Sequence, residues 1–348
     1  MTSSQNLVAA LSGNPNSGKT TAFNAFTGAH QHVGNYPGIT VEQKEGIARL
    51  PDGTSIRIID LPGVYSLSAY TQEETVARHV LVTERPDVVI SILNACALER
   101  NLYLVIQLLE LGVPVVLGLN MMDEAREKGV SIDTAQLSNR LGLPVLPAVA
   151  RTGEGLHELL EAARNEALRR KGTPWTPHNI SYGPDLDPVL SAMQESIEQE
   201  GLLAPTYPSR WVALKMLEHD EEILDLAQKA NPILCKKLEE QAGSVAAHMR
   251  TTLATSPEGV IADYRYGAIS SLLHGGVLRR NEDRHARMAQ SDRMDKVLTH
   301  EFLGPAIMLL ILYLIYQITF SLGSWPMELV TSGFDFLRNF VESSLPDG

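Results

Sequence analysis

Eight consecutive residues, Gly13-Asn14-Pro15-Asn16-Ser17-Gly18-Lys19-Thr20, constrain the fold more than any other stretch of this chain. The apolar run before them, residues 7–11, reads as a buried strand, and residues 21–26 read as the start of a helix. Strand, Gly-x-x-x-x-Gly-Lys-Thr and helix, in that order, make a phosphate-binding loop. The two glycines let the backbone pass close to a ligand, so that successive amide N–H groups face phosphate oxygens. The helix adds the positive end of its dipole. These eight residues and Thr21 form the expected phosphate cradle. Lys19 is expected to reach the β- and γ-phosphates, and the Thr20 hydroxyl to sit on Mg²⁺.

A loop of this kind belongs to an α/β sheet, and the first half of the chain supplies one. Candidate strands at residues 41–50, 55–60, 88–93, 115–119 and 145–148 alternate with helical patterns such as 98–111 and 155–169. That alternation predicts a mainly parallel sheet with helices on both faces. Ligands of such sheets gather at the carboxyl ends of the strands, and the remaining motifs fall there. Val33-Gly34-Asn35-Tyr36-Pro37-Gly38-Ile39-Thr40 reads as a loop between the first helix and the second strand. In a P-loop GTPase this is switch I, whose threonine completes the Mg²⁺ shell. Thr40 is the candidate, with Gly38 and Ile39 beside the nucleotide. Asp60-Leu61-Pro62-Gly63 closes a strand. Asp60 is expected to hold Mg²⁺ through a water, and Gly63 to offer its N–H to the γ-phosphate.

Two further loops would read the base. Asn120-Met121-Met122-Asp123 follows the strand at 115–119. A carboxylate at Asp123 accepts hydrogen bonds from both guanine N1–H and the N2 amino group. Adenine lacks that donor pair, so such a site rejects it. Ala148-Val149-Ala150-Arg151-Thr152-Gly153 follows the last strand. Val149 and Ala150 are placed against the base, and the Ala150 N–H is the candidate donor to guanine O6.

With 348 residues the chain has room for more than one domain. Its net charge of −12 argues against a nucleic-acid-binding surface. Cys96 and Cys235 lie far apart and in no metal-ligand spacing, as expected of reduced thiols. The short polar start, residues 1–6, has no signal-peptide pattern, which places the first domain in the cytoplasm. After a G domain over 1–170, the turn-rich segment 171–177 reads as a linker and residues 178–275 as a small helical domain. Leu186, Val189, Leu190, Met193 and Ile197 share one helical face, and further helices are expected over 233–253 and 257–273. Glu218, Asp220, Glu221, Glu222 and Asp225 read as a solvated helix surface rather than a metal trap. His30 and His32 flank switch I without a ligand partner at metal spacing and read as solvated.

Residues 302–322 are almost wholly apolar, and no charge lies between Glu301 and Glu328. About 20 such residues cross a bilayer core, so 301–325 is expected to be a transmembrane helix in contact with the lipid bilayer. The segment 276–300 before it holds Arg279, Arg280, Arg284, Arg287, Arg293 and Lys296, whereas Arg338 is the basic residue after it. That bias places the N-terminal side in the cytoplasm. Residues 326–348 are expected as an interfacial amphipathic segment on the outer, periplasmic side.

These motifs together resemble the ferrous-iron transport protein B family, prokaryotic proteins of the cytoplasmic membrane with an N-terminal GTPase. The resemblance is carried by the P-loop, Val33-Gly-Asn-Tyr-Pro-Gly-Ile-Thr-Val-Glu42, Asp60-Leu-Pro-Gly-Val-Tyr-Ser-Leu-Ser68, Leu98-Glu-Arg-Asn-Leu-Tyr-Leu104 and Asn120-Met-Met-Asp123. It continues through Tyr264-Arg-Tyr-Gly267 and Ser291-Asp-Arg-Met-Asp295. It implies a slow, K⁺-stimulated GTPase acting on GTP to give GDP, with Mg²⁺ on Thr20, Thr40 and Asp60. It implies that Asn16 and the backbone oxygens of Gly34 and Tyr36 hold K⁺, and that Lys19, Asn16, Thr40 and Gly63 serve catalysis. No glutamine follows Gly63, where Ras-type enzymes place the residue that orients water, and Val64 cannot do that work. Met121 replaces the usual lysine of the base-reading motif, which implies weak, fast-exchanging nucleotide. Fe²⁺ is then the transported ion of a longer protein, of which this chain is the N-terminal part. A small cytoplasmic partner and a homo-oligomer are compatible with it, and nucleic acid is not. The alternative is a membrane-tethered nucleotide sensor without significant hydrolysis.

Overall fold

Strand β1 (Asn6–Gly13) is the central strand of the main sheet, and both of its faces are apolar. Leu7, Ala9 and Leu11 join one core, while Val8 and Ala10 join another, the two-residue alternation of a strand buried on both sides. A computed structural model describes residues 6–28, 31–35, 41–252, 254–280, 298 and 303–344. The chain divides into two units, Met1–Arg280 and Asn281–Gly348.

In the first unit, β1 leads through the phosphate loop into α1 (Lys19–Thr27) and then β2 (Gln31–Asn35), β3 (Glu42–Arg49) and β4 (Ser55–Asp60). Next come α2 (Gln72–Glu84), β5 (Val88–Asn94), α3 (Leu98–Leu111), β6 (Val115–Asn120) and α4 (Met122–Glu127). Strand β7 (Val130–Ile132), α5 (Thr134–Leu141), β8 (Val145–Pro147) and α6 (Leu156–Arg170) complete this part. Seven strands form one sheet in the order β2-β3-β4-β1-β5-β6-β8. The pairs from β4 through β8 are parallel and those from β2 to β4 antiparallel. Phe23 and Phe26 of α1 and Leu159, Leu160 and Ala163 of α6 cover one face. Val76, Val80 and Leu81 of α2 and Leu102, Val105 and Leu109 of α3 cover the other. The register sets Leu11 beside Asp60, Gly13 beside Ile92 and Asn94 beside Asn120. The carboxyl ends of the central strands are therefore level, which brings the sequence motifs to one edge.

One expectation is corrected here. Residues 33–35, expected as loop, complete edge strand β2, where Gly34 pairs with Gln43. Its sequence, Gln-His-Val-Gly-Asn, carries a single large apolar residue, so no hydrophobic pattern marks it. The ladder to β3 decides its conformation. The rest of switch I, residues 36–40 with Tyr36, Gly38, Ile39 and Thr40, lies outside the described residues, as does His30. His32 is exposed on β2.

Helices α7 (Asp187–Glu200), α8 (Ser209–Leu217), α9 (Glu221–Ala230), α10 (Pro232–Thr252) and α11 (Pro257–Leu273) follow, ending in β9 (Leu278–Arg280). Leu190, Met193 and Ile197 are fully buried, as their spacing predicts. Their core is continuous with the α2–α3 face of the sheet. Helix α11 packs on α3 and α5, and β9 pairs antiparallel with β7.

The acidic group in this part departs from its expected role. Glu221 and Asp225 are exposed, but Glu218 and Asp220 are buried. Glu218 accepts from Lys215 Nζ at 2.7 Å and from Arg265 at 2.5 Å. Arg265 also holds Glu110 of α3 through two bonds of 2.7 Å each, and the Tyr182 hydroxyl donates to Glu110 at 2.5 Å. Asp220 takes two bonds from Arg78 of α2, at 2.6 and 3.1 Å, and Glu222 pairs with the same guanidinium. Burial works against the charge on Glu218, but Lys215 and Arg265 outweigh it and hold its carboxyl down at about 2. The solvated reading does not hold for Glu218 and Asp220 because Arg265 of α11 and Arg78 of α2, remote in sequence, reach them, with only Lys215 supplied locally.

In the second unit a single helix runs from Leu303 to Ser344. Its stretch Leu303–Phe320 is 18 residues long with mean hydropathy 1.9, and none of it is buried within the protein. By length and composition it is a candidate membrane crossing. Residues 326–344 of the expected amphipathic segment continue the same helix.

Candidate nucleotide-binding site

The P-loop turns between β1 and α1 under tight steric control. A side-chain carbon on Gly13 would sit 2.5 Å from the Ile92 carbonyl oxygen. Gly18 adopts φ +85°, and a Cβ there would collide with the Asn120 amide nitrogen. Neither position tolerates another residue, which is the physical content of the glycines in the motif. Asn16 takes a left-handed conformation, φ +62°, and is exposed, as are Thr20 and Thr21. Pro15 packs near Gly63, whose Cβ position lies 3.5 Å from the proline nitrogen.

Lys19 and Asp60 meet as a buried ion pair, 8% and 7% exposed. Burial pushes the Asp60 carboxyl up, and Lys19 opposes the shift. The Leu61 amide donates to the Leu11 carbonyl at 3.0 Å and the Val64 amide to the Gly13 carbonyl at 3.3 Å. These bonds hold the Asp60–Gly63 turn against the phosphate loop. Val64 is buried, 3% exposed, in the apolar core.

Three polar atoms at this edge are buried without a hydrogen-bond partner among the described residues: both amide atoms of Asn14 and the Ser17 hydroxyl. Buried polar groups are rarely left unpaired unless a ligand or ion completes them. Together with a buried lysine, a buried carboxylate and an exposed Thr20 hydroxyl, this donor set fits a phosphate group and a hard cation.

Asn120 ties the phosphate loop to the base-reading loops. Its Nδ2 donates to the Ser17 carbonyl at 2.8 Å, and its Oδ1 accepts from the Ala150 amide at 2.8 Å. The Ala150 N–H is also the candidate donor to guanine O6. The amide is engaged by Asn120, because the β6 and β8 ends converge on that side chain. Asn120 is thus a strut inside the site. Met121 takes φ +62°, and its terminal methyl lies 3.7 Å from the Gly18 Cβ position. That turn starts α4 and sets Asp123 in its first turn. Asp123 accepts from Arg151 at 3.2 Å. The Glu124 backbone N–H, with help from Arg151, holds its carboxyl below the usual range. Val149 closes a tight turn, accepting from Thr152 and Gly153 and donating to Glu154.

The structure therefore brings together Gly13 to Thr21, Asp60, Gly63, Asn120, Met121, Asp123, Val149 and Ala150. Gly34 lies on the edge strand, opposite Gln43. Sequence reasoning missed Arg151, whose pairing with Asp123 has no local signal. It also missed Glu74, although Thr71-x-x-Glu74 is a readable capping box. Glu74 accepts from Ser66 at 2.7 Å and from the Tyr70 amide at 3.1 Å, fastening the chain that leaves the Asp60 turn.

Comparison with known proteins matches two family models. Ferrous iron transport protein B covers residues 7–163, and the FeoB cytosolic helical domain covers residues 182–277. A fusion of Fe(2+) transport protein A with Fe(2+) transporter FeoB from Porphyromonas gingivalis is 39% identical, over 97% of this chain and 40% of the relative. Fe(2+) transporter FeoB of Staphylococcus aureus is 36% identical, over 96% of this chain and 47% of the relative. The chain thus spans less than half the length of these relatives. A GDP-bound point mutant of S. thermophilus NFeoB superposes with TM-score 0.67 at 32% identity, covering 77% of this chain and 98% of that one. The L. pneumophila FeoB cytosolic domain superposes with TM-score 0.65 at 34% identity, covering 78% and 100%.

Proposed function

The chain belongs to the ferrous iron transport protein B family, and on that premise we propose that it is the GTP-binding and GTP-hydrolysing N-terminal part of a prokaryotic Fe²⁺ uptake transporter. The observation that carries this reading is the Asn120 strut. It joins the phosphate cradle to the loop bearing Asp123, so one ligand with a triphosphate and a guanine would engage both. The S. thermophilus relative was crystallised with GDP.

Each residue then has a task. Lys19 and the P-loop amides neutralise the β- and γ-phosphates, and Asp123 selects guanine by its two-donor edge. Thr20, Thr40 and Asp60 would hold Mg²⁺, which supplies positive charge across the phosphates. Asn16, with backbone oxygens of Gly34 and Tyr36, would hold K⁺, which supplies further charge. Water attacks the γ-phosphorus while the bond to the β–γ bridging oxygen breaks. Lys19 and the Gly63 N–H stabilise the charge that develops. The apolar helix that begins at Leu303 would be the first membrane crossing, with the preceding domains in the cytoplasm.

Phosphate release from GTP, measured with K⁺ and then with Na⁺, tests the enzymatic part. K⁺-stimulated turnover is expected. The buried Val64 favours a second reading, a guanine-nucleotide switch with negligible hydrolysis, and absence of turnover in both salts would select it. Fe²⁺ uptake by the complete membrane protein, with and without Lys19→Ala, tests the transport part.

A further inference from the structure

Asp123, read above as the base selector, already has a partner of the right shape within the chain. Arg151 Nη2 lies 3.2 Å from Asp123 Oδ2. A guanidinium is a planar fork of N–H donors. Guanine offers a carboxylate the same kind of edge, N1–H beside the N2 amino group. We propose that Arg151 is an internal competitor of the guanine base, and that its guanidinium must leave Asp123 before GDP or GTP is read.

The surrounding backbone builds this contact. Asn120, three residues before Asp123, accepts from the amide of Ala150, the residue before Arg151. The turn that carries Arg151 is closed by the Val149 amide on the Glu154 carbonyl at 2.9 Å, and by the Thr152 and Gly153 amides on the Val149 carbonyl at 3.1 and 3.0 Å. Both ends of the pair are therefore anchored, and the arginine stands at the tip of a tight turn. Its side chain is 83% exposed, against 33% for Asp123, so it can swing away without uncovering a core. An exposed ion pair of this kind is weak. The competitor lowers the fraction of the site ready for the base, and the apparent dissociation constant rises by the inverse of that fraction.

The inference rests on Asp123 as base reader, and the test separates the two. The whole chain in detergent is titrated with GDP, GTP and ATP. First, Asp123→Asn is compared with the parent. Loss of the preference for GDP over ATP sustains the base reading, and retention of it removes that reading. Next, Arg151→Ala is expected to tighten GDP and GTP about two- to five-fold, the range of a weak surface pair. ATP affinity is expected to stay unchanged, since adenine does not use the carboxylate. Arg151→Lys, which keeps the charge but not the fork, falls between. In the Asp123→Asn background the gain from Arg151→Ala disappears. It also shrinks as salt rises from ~0.05 M to ~0.5 M, where the pair is screened. Unchanged or weaker GDP binding by Arg151→Ala, with the Asp123→Asn result as expected, would overturn the proposal alone. So would equal changes in GDP and ATP affinity.

Discussion

Two regions of the first unit bury charge, and they do it differently. At the nucleotide edge, Lys19 and Asp60 have each other, while the Asn14 amide and the Ser17 hydroxyl beside them have no partner among the described residues. At the seam between the sheet and the helices, Arg265 serves Glu110 and Glu218, Lys215 also serves Glu218, and Tyr182 also serves Glu110. Nearby, Arg78 serves Asp220 and Glu222 while its guanidinium lies 5.7 Å from the Trp211 ring centroid. The residue types are similar, but the pairing differs: every charged atom of Arg265, Glu110, Glu218 and Lys215 is engaged, whereas the Arg78 Nε and the Trp211 indole N–H are, like the Asn14 and Ser17 atoms, buried without a partner among the described residues. A saturated network fixes the packing of α11 on α3. An unsaturated one retains hydrogen-bonding capacity for something else. Charge burial alone therefore does not mark a functional site, and neither does one unpaired atom; the nucleotide edge differs in having three unpaired atoms within the phosphate loop itself, beside the Lys19–Asp60 pair.

The contrast is tested most severely at the seam. Arg265→Met should leave Glu110 and Glu218 buried with too few cations and cost roughly 3–5 kcal/mol of stability. Denaturant unfolding measures it, and nucleotide affinity of the folded fraction should change little. Acid reaches the same network. The Glu218 carboxyl is depressed in the folded protein, so its contribution is present above the unfolded value near 4.5 and is lost as pH falls toward about 2. Asp60 runs the other way. Its folded value is raised, so its protonated form favours the fold, that contribution is lost as pH rises through the raised value, and cation binding improves over the same range. On acidification, Mg²⁺-dependent nucleotide binding should therefore fail before the circular dichroism of the fold does.

At the nucleotide edge, Lys19→Ala should weaken GTP by about 10- to 150-fold, the equivalent of one charged hydrogen bond of roughly 1.5–3 kcal/mol. Its effect on unfolding should be smaller than that of Arg265→Met, because the Asp60 left behind can take up a proton. Asn120→Ala sits between the two regions in kind. It removes bonds to both Ser17 and Ala150, and should cost about 1–3 kcal/mol of stability while also weakening GDP. Calorimetric unfolding and GDP titration on the same sample separate these two effects. The smallest change, the few-fold gain from Arg151→Ala, refines the contrast because it adds affinity by removing a contact.

Much of this was legible in the chain. Helices α3 and α11 occupy the very residues their periodicity marks, and the phosphate loop, the Asp60–Gly63 turn and the Asn120–Asp123 turn follow the strands expected to carry them. The edge strand β2 was not legible, because its residues carry no alternation for a core to enforce. Nor were the roles of Glu218 and Asp220, since a carboxylate on a helix looks the same whether water or an arginine answers it.

The linear chain dictates what is short-range: the glycines and lysine of the phosphate loop, the apolar faces of strands and helices, and the placing of motifs at strand ends. These depend on backbone conformation and on side-chain periodicity within a few residues. Packing in three dimensions settles which charges are matched. Arg78 finds Asp220 across 142 residues, Arg265 finds Glu110 across 155, and Arg151 finds Asp123 across 28. An ion pair acts over a few ångströms of space regardless of chain distance, so its partner is fixed only once the sheet and helices have packed.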